Sequence, residues 1–549
     1  MDLPRVLDLL FMQLNTPMKA HVLTILASAS MSLMVSAEQK RPNILFLFSD
    51  DHALKSISAY GGPLKDIAPT PYIDSIAEEG AIFENSFCGN SICGPSRASI
   101  LTGKHSHKNG FMRNTGKGFD QSQWTVAKAL KGAGYTTAVI GKWHLHTNPV
   151  AFDYWEVLPG QGSYYNPDFI QMDGSKKKFQ GYVTDITTDK AIKWLDGRDK
   201  DKPFFLMCQH KAPHRTFSPA LRHLNAFEGV DIPEPDSLFD DYKNRSVTMP
   251  LNEMEIGRHM HWSYDLKLRG DEAEAAGVKL PGPNRYGAKV YNRMSLSQKK
   301  TWDGYFGPRN KKFLEDYKAG KLKPEDVVKW KYQRYISNYL ATVKAVDENV
   351  GRMLHYLKEN GLDQNTIVIY SSDQGFFLGE HGWFDKRWMF EESFKMPFLI
   401  KWPGVIKPGS RPKQLIQNID YAPTWLEMAG VKVPDEVQGR SIVPLLKGSK
   451  VDDWREAVYY AYYEIGEHAV PQHYGVRTET HKLFYLPATQ EWQMFDLVKD
   501  PEEMVNVYDN PEYSKVRESL TKEYYRLREH YDAPSYEEYA PKKGEEFQK

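Results

Sequence analysis

Asn43-Ile44-Leu45-Phe46-Leu47-Phe48-Ser49-Asp50-Asp51 is a short apolar run that breaks into two adjacent carboxylates. A run without alternation predicts a strand buried on both faces. Asn365-Thr366-Ile367-Val368-Ile369-Tyr370 has the same character and ends in Ser371-Ser372-Asp373-Gln374-Gly375. Open α/β sheets bind ligands just beyond the carboxyl ends of their strands. Both runs therefore deliver oxygen donors to one rim. Asp50, Asp51, Asp373 and Gln374 together suit a hard divalent cation, Ca²⁺ or Mg²⁺, rather than zinc. Asp50-Asp51 alone would read as a solvated helix cap. The second pair in an equivalent context turns the reading toward a metal site.

Strands are expected at 43–48, 136–141, 203–208 and 366–370, alternating with helical segments such as 184–195 and 332–358. That rhythm predicts an α/β fold with a mostly parallel central sheet between helices. Thr70-Pro71 opens a helix that Gly80 closes, with Ile73, Ile76 and Ala77 on its buried face. Asp420-Tyr421-Ala422-Pro423-Thr424 leads into another that ends at Gly430. Residues 216–330 break the rhythm, with His259, His261, Trp262 and Tyr264 close together, and read as an insertion covering the sheet edge. From Glu456 the pattern changes to short aromatic strands at 457–463, 481–485 and 494–497, followed by a helix at 513–530. The expected division is a main domain over 38–450 and a small α+β subdomain over 451–549, frayed after Pro534.

Cys93-Gly94-Pro95-Ser96-Arg97 runs into Ala98-Ser99-Ile100-Leu101-Thr102-Gly103. Pro95 stands at the entrance of a helix, so Cys93 lies at a helix amino terminus, where free N–H groups favour an anion. No second Cys or His sits at ligand spacing, which argues against zinc. The segment resembles the signature of the type I sulfatases. In that family this Cys is oxidised to formylglycine (3-oxoalanine), whose hydrate attacks sulfur. Three further segments carry the resemblance: Gly141-Lys142-Trp143-His144, Lys211-Ala212-Pro213-His214-Arg215, and Glu380-His381-Gly382-Trp383-Phe384-Asp385-Lys386-Arg387. It spans roughly residues 40–510. One departure stands at Gln374, where the family carries Asn or His; Gln keeps the amide oxygen on a longer arm.

The resemblance implies an alkaline-phosphatase-like fold and a division of labour. Asp50, Asp51, Asp373 and Gln374, with the modified Cys93, hold the cation. Lys142 and Lys386 help neutralise the sulfate, and Arg97 holds the hydrate. His214 is the candidate general acid for the leaving oxygen, and His144 takes the proton that releases sulfate from the hydrate. It also implies a formylglycine-generating or anaerobic sulfatase-maturating enzyme as a partner. Ser58-Ala59-Tyr60-Gly61-Gly62, Gly141 to His146 and Phe152-Asp153-Tyr154-Trp155 resemble bacterial N-acetylglucosamine-6-sulfatases acting on host glycans. In that group an Asp and an Arg beside the site Lys bind sugar hydroxyls; Asp385 and Arg387 occupy those places, or else pair with each other. His473, before Tyr474-Gly475-Val476-Arg477, is expected to reach the same pocket. Iduronate-2-sulfate and galactose-6-sulfate stay open as substrates. A phosphonate hydrolase or a non-catalytic glycan-binding protein are the readings from other classes.

The charge balance is even, 71 basic against 71 acidic residues, so no basic field calls for a nucleic-acid partner. Met18-Lys19-Ala20-His21, an apolar stretch over 22–35 and Val35-Ser36-Ala37 form a secretory leader pattern, so 1–37 is expected to be a signal peptide with Met18 as a possible true start. The stretch is too short and serine-rich for a stable membrane anchor. A bacterial periplasmic or secreted protein is the implied setting. Only Cys88, Cys93 and Cys208 occur, which excludes a disulfide framework and leaves open whether Cys88 and Cys208 pair.

Overall fold

The computed structural model describes residues 41–284 and 287–540. The expected signal peptide lies outside those residues. In chain order the large sheet comprises β1 (Asn43–Asp50), β2 (Ala81–Ile82), β3 (Thr136–Lys142), β4 (Tyr154–Leu158), β5 (Asp168–Ile170), β6 (Lys176–Lys178), β7 (Phe204–Pro213), β8 (Thr366–Ser372) and β9 (Phe398–Lys401). Their spatial order is β2-β9-β8-β1-β7-β3-β4-β5-β6. The five central strands β8, β1, β7, β3 and β4 run parallel, while the flanking strands pair antiparallel. The four expected strand positions hold, as β1, β3, β7 and β8, and each runs one to five residues further toward the site than its apolar run.

β1 explains why. Ile44, Phe46 and Phe48 enter the core on one face, with Trp425 and Ile367, while Leu45 and Leu47 enter the core on the other. All eight of its residues are buried. A fully buried Leu or Phe contributes about 2 kcal/mol, so this strand cannot slip register without losing both cores. α1 (Pro71–Glu78), α4 (Val183–Gly197) and α6 (Pro324–Glu359) cover the Leu45 face. α2 (Cys93–Thr102), α3 (Val126–Gly132) and α7 (Tyr421–Met428) cover the other. Cys88 and Cys208 belong to cores on opposite faces, and all three cysteines are free.

Two expectations need correction. The 216–330 segment does not simply cover the sheet edge. Phe217, Ile232, Leu238, Ile256, Met260 and Trp262 pack on Tyr332, Tyr335 and Tyr339 of α6 and on Phe376, Leu378 and Phe384. It thereby braces the loop that carries Lys386. Ala220 and Leu224 at its start, and Met294 with the α5 (Leu296–Lys318) residues Trp302 and Phe306 later on, join the core near Tyr165. Fraying after Pro534 does not begin at once either. Tyr536–Tyr539 forms a helical turn, and Tyr539 is buried with its ring centroid 4.8 Å from that of Tyr463.

The small sheet is antiparallel, in the order β10 (Ala457–Tyr462), β11 (His473–Thr478), β12 (His481–Leu486) and β13 (Glu491–Asp496). Leu520, Tyr524 and Leu527 of α8 (Ser514–His530) pack on one face. The other face meets Trp388 and Phe390, just after Lys386.

Candidate active site

Because β8, β1, β7 and β3 are consecutive in the sheet, their carboxyl ends meet at one rim. β1 ends at Asp50, and Asp51 turns the chain in the left-handed region at φ +63°. β8 hands on to Asp373 and Gln374. β3 ends at Lys142, with His144 at φ +58°. β7 runs through a cis Ala212–Pro213 bond to His214. Cys93 is the first residue of α2, and Arg97 lies one turn on.

These side chains are buried and tied together. Arg97 donates from Nε to Asp373 Oδ2 at 3.0 Å, and from Nη1 to the Lys142 carbonyl at 2.6 Å and Gln209 Oε1 at 3.0 Å. Its Nη2 lies 3.7 Å from Asp50 Oδ1. Lys142 Nζ pairs with Asp50, and Lys386 Nζ donates to both Asp51 oxygens at 2.7 Å. His214 donates from Nδ1 to the Arg215 carbonyl at 2.5 Å, which leaves Nε2 3.6 Å from Asp51 Oδ2.

Crowding three carboxylates out of water shapes their titration. Burial pushes Asp51 up to about 7, against Lys386 and with Asp50 and Asp373 adding to the rise. Burial and the Asp50 charge push Asp373 up to about 6. For Asp50, burial is outweighed by Lys142, His214 and Arg97, which hold it well below the usual carboxylate range. The Cys93 thiol is pushed up to about 12 by burial. Burial, then Lys142, lowers His214 and His144 well below an ordinary histidine.

A divalent cation fits this donor set. Asp50 Oδ1 and Gln374 Oε1 are buried without a hydrogen-bond partner. Donor atoms of Asp50, Asp51, Cys93 and His214 all lie within 4.8 Å of one another. The amide of Gln374 donates from Nε2 to Asp51 Oδ1; turned over, it would set its oxygen beside that carboxylate oxygen, an arrangement a shared cation would favour.

A second constellation adjoins the first. Asp385 and Arg387, both in the left-handed region at φ +83° and +96°, pair through Asp385 Oδ1 and Arg387 Nη1. Lys386 Nζ lies 3.7 Å from the same oxygen. His468 Nε2 is 3.3 Å from Asp385 Oδ2, and Glu467 Oε1 is 3.4 Å from Arg387 Nη2. Burial would raise Asp385, but Arg387, Lys386 and His468 hold it well below its usual range.

The sulfatase family profile matches residues 42–431, and the profile of the N-sulphoglucosamine sulphohydrolase C-terminal region matches 379–530. The chain belongs to the sulfatase family. Its members are sulfuric ester hydrolases that generally use a formylglycine made from the signature Cys and a divalent metal. An N-acetylglucosamine-6-O-sulfatase of Bacteroides thetaiotaomicron is 46% identical over 505 residues, 91% of this chain and 88% of its own. The human N-acetylglucosamine-6-sulfatase is 27% identical over 456 residues, 78% of this chain and 68% of its own. A solved protein in complex with its substrate D-glucosamine-2-N,6-O-disulfate superposes with a TM-score of 0.85 at 46% identity, covering 90% of this chain and 98% of its own. A phosphonate monoester hydrolase of Agrobacterium radiobacter, 20% identical with a TM-score of 0.64 over 89% of this chain and 96% of its own, shares the fold.

This sulfatase brings together Cys93, Arg97, Lys142, His144, His214, Lys386 and the four oxygen-donor residues. Asp385 and Arg387 lie beside them as an ion pair. His473 does not join them. It is fully buried, accepts from the Met389 N–H at 3.0 Å and donates to the Pro471 carbonyl at 2.8 Å, so both ring nitrogens serve the backbone. The histidine that reaches the pocket from the small domain is His468. Its neighbourhood, Gly466-Glu467-His468-Ala469, carries no periodic signal. Gln209 and Lys211 were also missed as site neighbours. Both lie on β7, one strand from Asp50, and Lys211 is lowered to about 7 by burial and Lys142.

Proposed function

We propose that this sulfatase removes the 6-O-sulfate of N-acetylglucosamine in host glycans, glycosaminoglycan or mucin. The observation that carries this is the Asp385–Arg387–His468 cluster beside Lys386, in a chain 46% identical to a sulfatase of that specificity. A carboxylate accepts from one ring hydroxyl while a guanidinium donates to its neighbour, which suits the vicinal O4 and O3 of a glucosamine.

Asp50, Asp51, Asp373 and Gln374 would hold the metal, Ca²⁺ or Mg²⁺, which when bound supplies electrostatic stabilisation of sulfate oxygens. Cys93, once converted to formylglycine by a formylglycine-generating or anaerobic sulfatase-maturating enzyme, supplies the nucleophile. Arg97 keeps Cys93 in register with this site by tying α2 to Asp373 and to the Lys142 carbonyl. Lys142 holds Asp50 ionised, Lys386 pairs with Asp51 and works against the rise that burial imposes on it, and the two side chains present ammonium groups to an incoming anion. His214, its Nδ1–H committed to a carbonyl, turns Nε2 to the site; protonated there as the imidazolium, which a bound sulfate anion would favour, it passes that proton to the leaving sugar oxygen. His144, with Nδ1 unpartnered, is free to take the proton released at the Cys93 side. The leader pattern over 1–37 supports a periplasmic or secreted setting.

Hydrolysis of N-acetylglucosamine-6-sulfate, galactose-6-sulfate and a 2-sulfated uronic acid, compared by kcat/KM, tests the reading. The glucosamine ester is expected to lead, with Asp385→Ala erasing the preference. A lead by either competitor overturns it.

A further inference from the structure

One carboxylate beside the sugar cluster has no part in the reading above. Arg387 lies between two acids. Asp385 is buried, its side chain 5% exposed, whereas Glu467 is 51% exposed. Of these two, Glu467 is the one open to solvent. It also lies 3.9 Å from His468 Nε2, so it borders both the guanidinium and the imidazole of the cluster.

Its place is set by backbone, not by a loose side chain. Gly466, His468 and Ala469 have φ of +74°, +54° and +51°. Left-handed conformations at non-glycine residues cost about 1 kcal/mol or more each and persist only where the surroundings hold them. Here the Glu253 N–H donates to the His468 carbonyl at 2.8 Å, and His468 Nδ1 meets the Glu253 carbonyl at 3.0 Å. The turn is pinned from the 216–330 insertion at both groups. Arg387 and His468 keep Glu467 ionised, since both lower its carboxyl pKa against burial.

An anion at the mouth of a sulfate-binding pocket works against binding unless it serves selection. A free hydroxyl can take a hydrogen bond from Arg387 and give one to Glu467. A sulfate on that hydroxyl can do only the first, and sets two anions against each other at contact distance. We infer that Glu467 is a specificity determinant that excludes glucosamine units already bearing an anionic group on the hydroxyl that Arg387 holds. The inference rests on the proposed glucosamine-6-sulfate reading, in which that hydroxyl is O3. It implies that a separate sulfatase must remove a 3-O-sulfate before this one acts.

The test compares kcat/KM on glucosamine-6-sulfate and glucosamine-3,6-disulfate for the wild type, Glu467→Gln and Glu467→Asp. The wild type is expected to prefer the free 3-hydroxyl by at least about tenfold, a margin limited by the half-exposed position and salt screening. Glu467→Gln should shrink that preference by about tenfold, and Glu467→Asp should retain most of it. Raising the ionic strength should narrow the gap in the wild type and not in Glu467→Gln. A ratio unchanged within about twofold in Glu467→Gln, or a wild type that favours the 3-sulfated sugar, overturns the inference. Wild-type failure to turn over either glucosamine ester is a different result and overturns the substrate reading beneath it.

Discussion

A thiol buried at a helix amino end and pushed up to about 12 is a poor nucleophile at neutral pH. The site around Cys93 is therefore built for something other than a thiolate. Cys93→Ala is expected to abolish turnover while moving the Tm by no more than about 2 °C, because it removes one small buried sulfur. The measurement is turnover beside the melting curve, with the mass of the tryptic peptide carrying Cys93 reporting its conversion in the wild type. His214 tests the proton side. Its loss should cost sugar sulfates at least about 100-fold more than aryl sulfates, whose phenolate leaves with little protonation; equal losses would assign it to positioning. At this scale the sequence was legible where residue type alone restricts the chemistry, as at Asp50-Asp51, Asp373 and Cys93. It was illegible at His473 and His468. A histidine's role depends on whether backbone groups capture both nitrogens, and the Met389 N–H and Pro471 carbonyl that capture His473 have no sequence signal.

Strands set the site by where they stop, so changes in a strand should act on chemistry and stability together. Gly141 has φ +107°, and a Cβ there would fall 1.9 Å from the Gln209 carbonyl oxygen of the adjacent β7. Gly141→Ala should cost about 3 kcal/mol or more and displace Lys142, seen as a fall in urea midpoint and in kcat. Gly132, which ends α3 and has nothing within 4 Å, is the control. There Ala should change stability by no more than about 1 kcal/mol. The rim made by β1 and β8 yields a second expectation. Chelation should remove activity and lower the Tm, since Asp50, Asp51 and Asp373 are left crowded without a cation, and Ca²⁺ or Mg²⁺ should restore both. Full activity in protein shown to be metal-free would overturn the assignment. The central strands were readable because apolar runs on both faces have few other uses. The 216–330 segment was not, because its core is completed by Tyr332, Tyr335 and Tyr339 of α6, far along the chain.

Across the whole molecule, the small sheet meets the loop bearing Lys386 through both aromatic packing and buried charge. Trp388 stacks on His473 at 5.2 Å, and Phe390 packs on Phe484 and Phe495. Beneath them Lys482 of β12, fully buried, donates to Glu503 Oε1 at 2.7 Å and lies 2.9 Å from Glu391 Oε1. Glu391 also takes Arg477 Nη2 at 3.0 Å, and its N–H donates to Glu503 Oε2 at 2.7 Å. Beside this network, Lys55 bridges Glu380 and Glu392 at 2.9 and 3.0 Å. Such networks contribute little net stability when complete but are costly to break, because each survivor is left charged in a poor solvent. Lys482→Met keeps the bulk and removes the charge, leaving Glu391 and Glu503 facing each other. It should lose about 3–5 kcal/mol in denaturant unfolding, and adding Glu503→Gln should return part of that. If the network also places Lys386, kcat on glucosamine-6-sulfate should fall in Lys482→Met and recover in the double variant under conditions where both stay folded. A single variant as stable as the wild type would mean that water or a proton already neutralises this cluster, and that the aromatic contact alone holds the small sheet to the site.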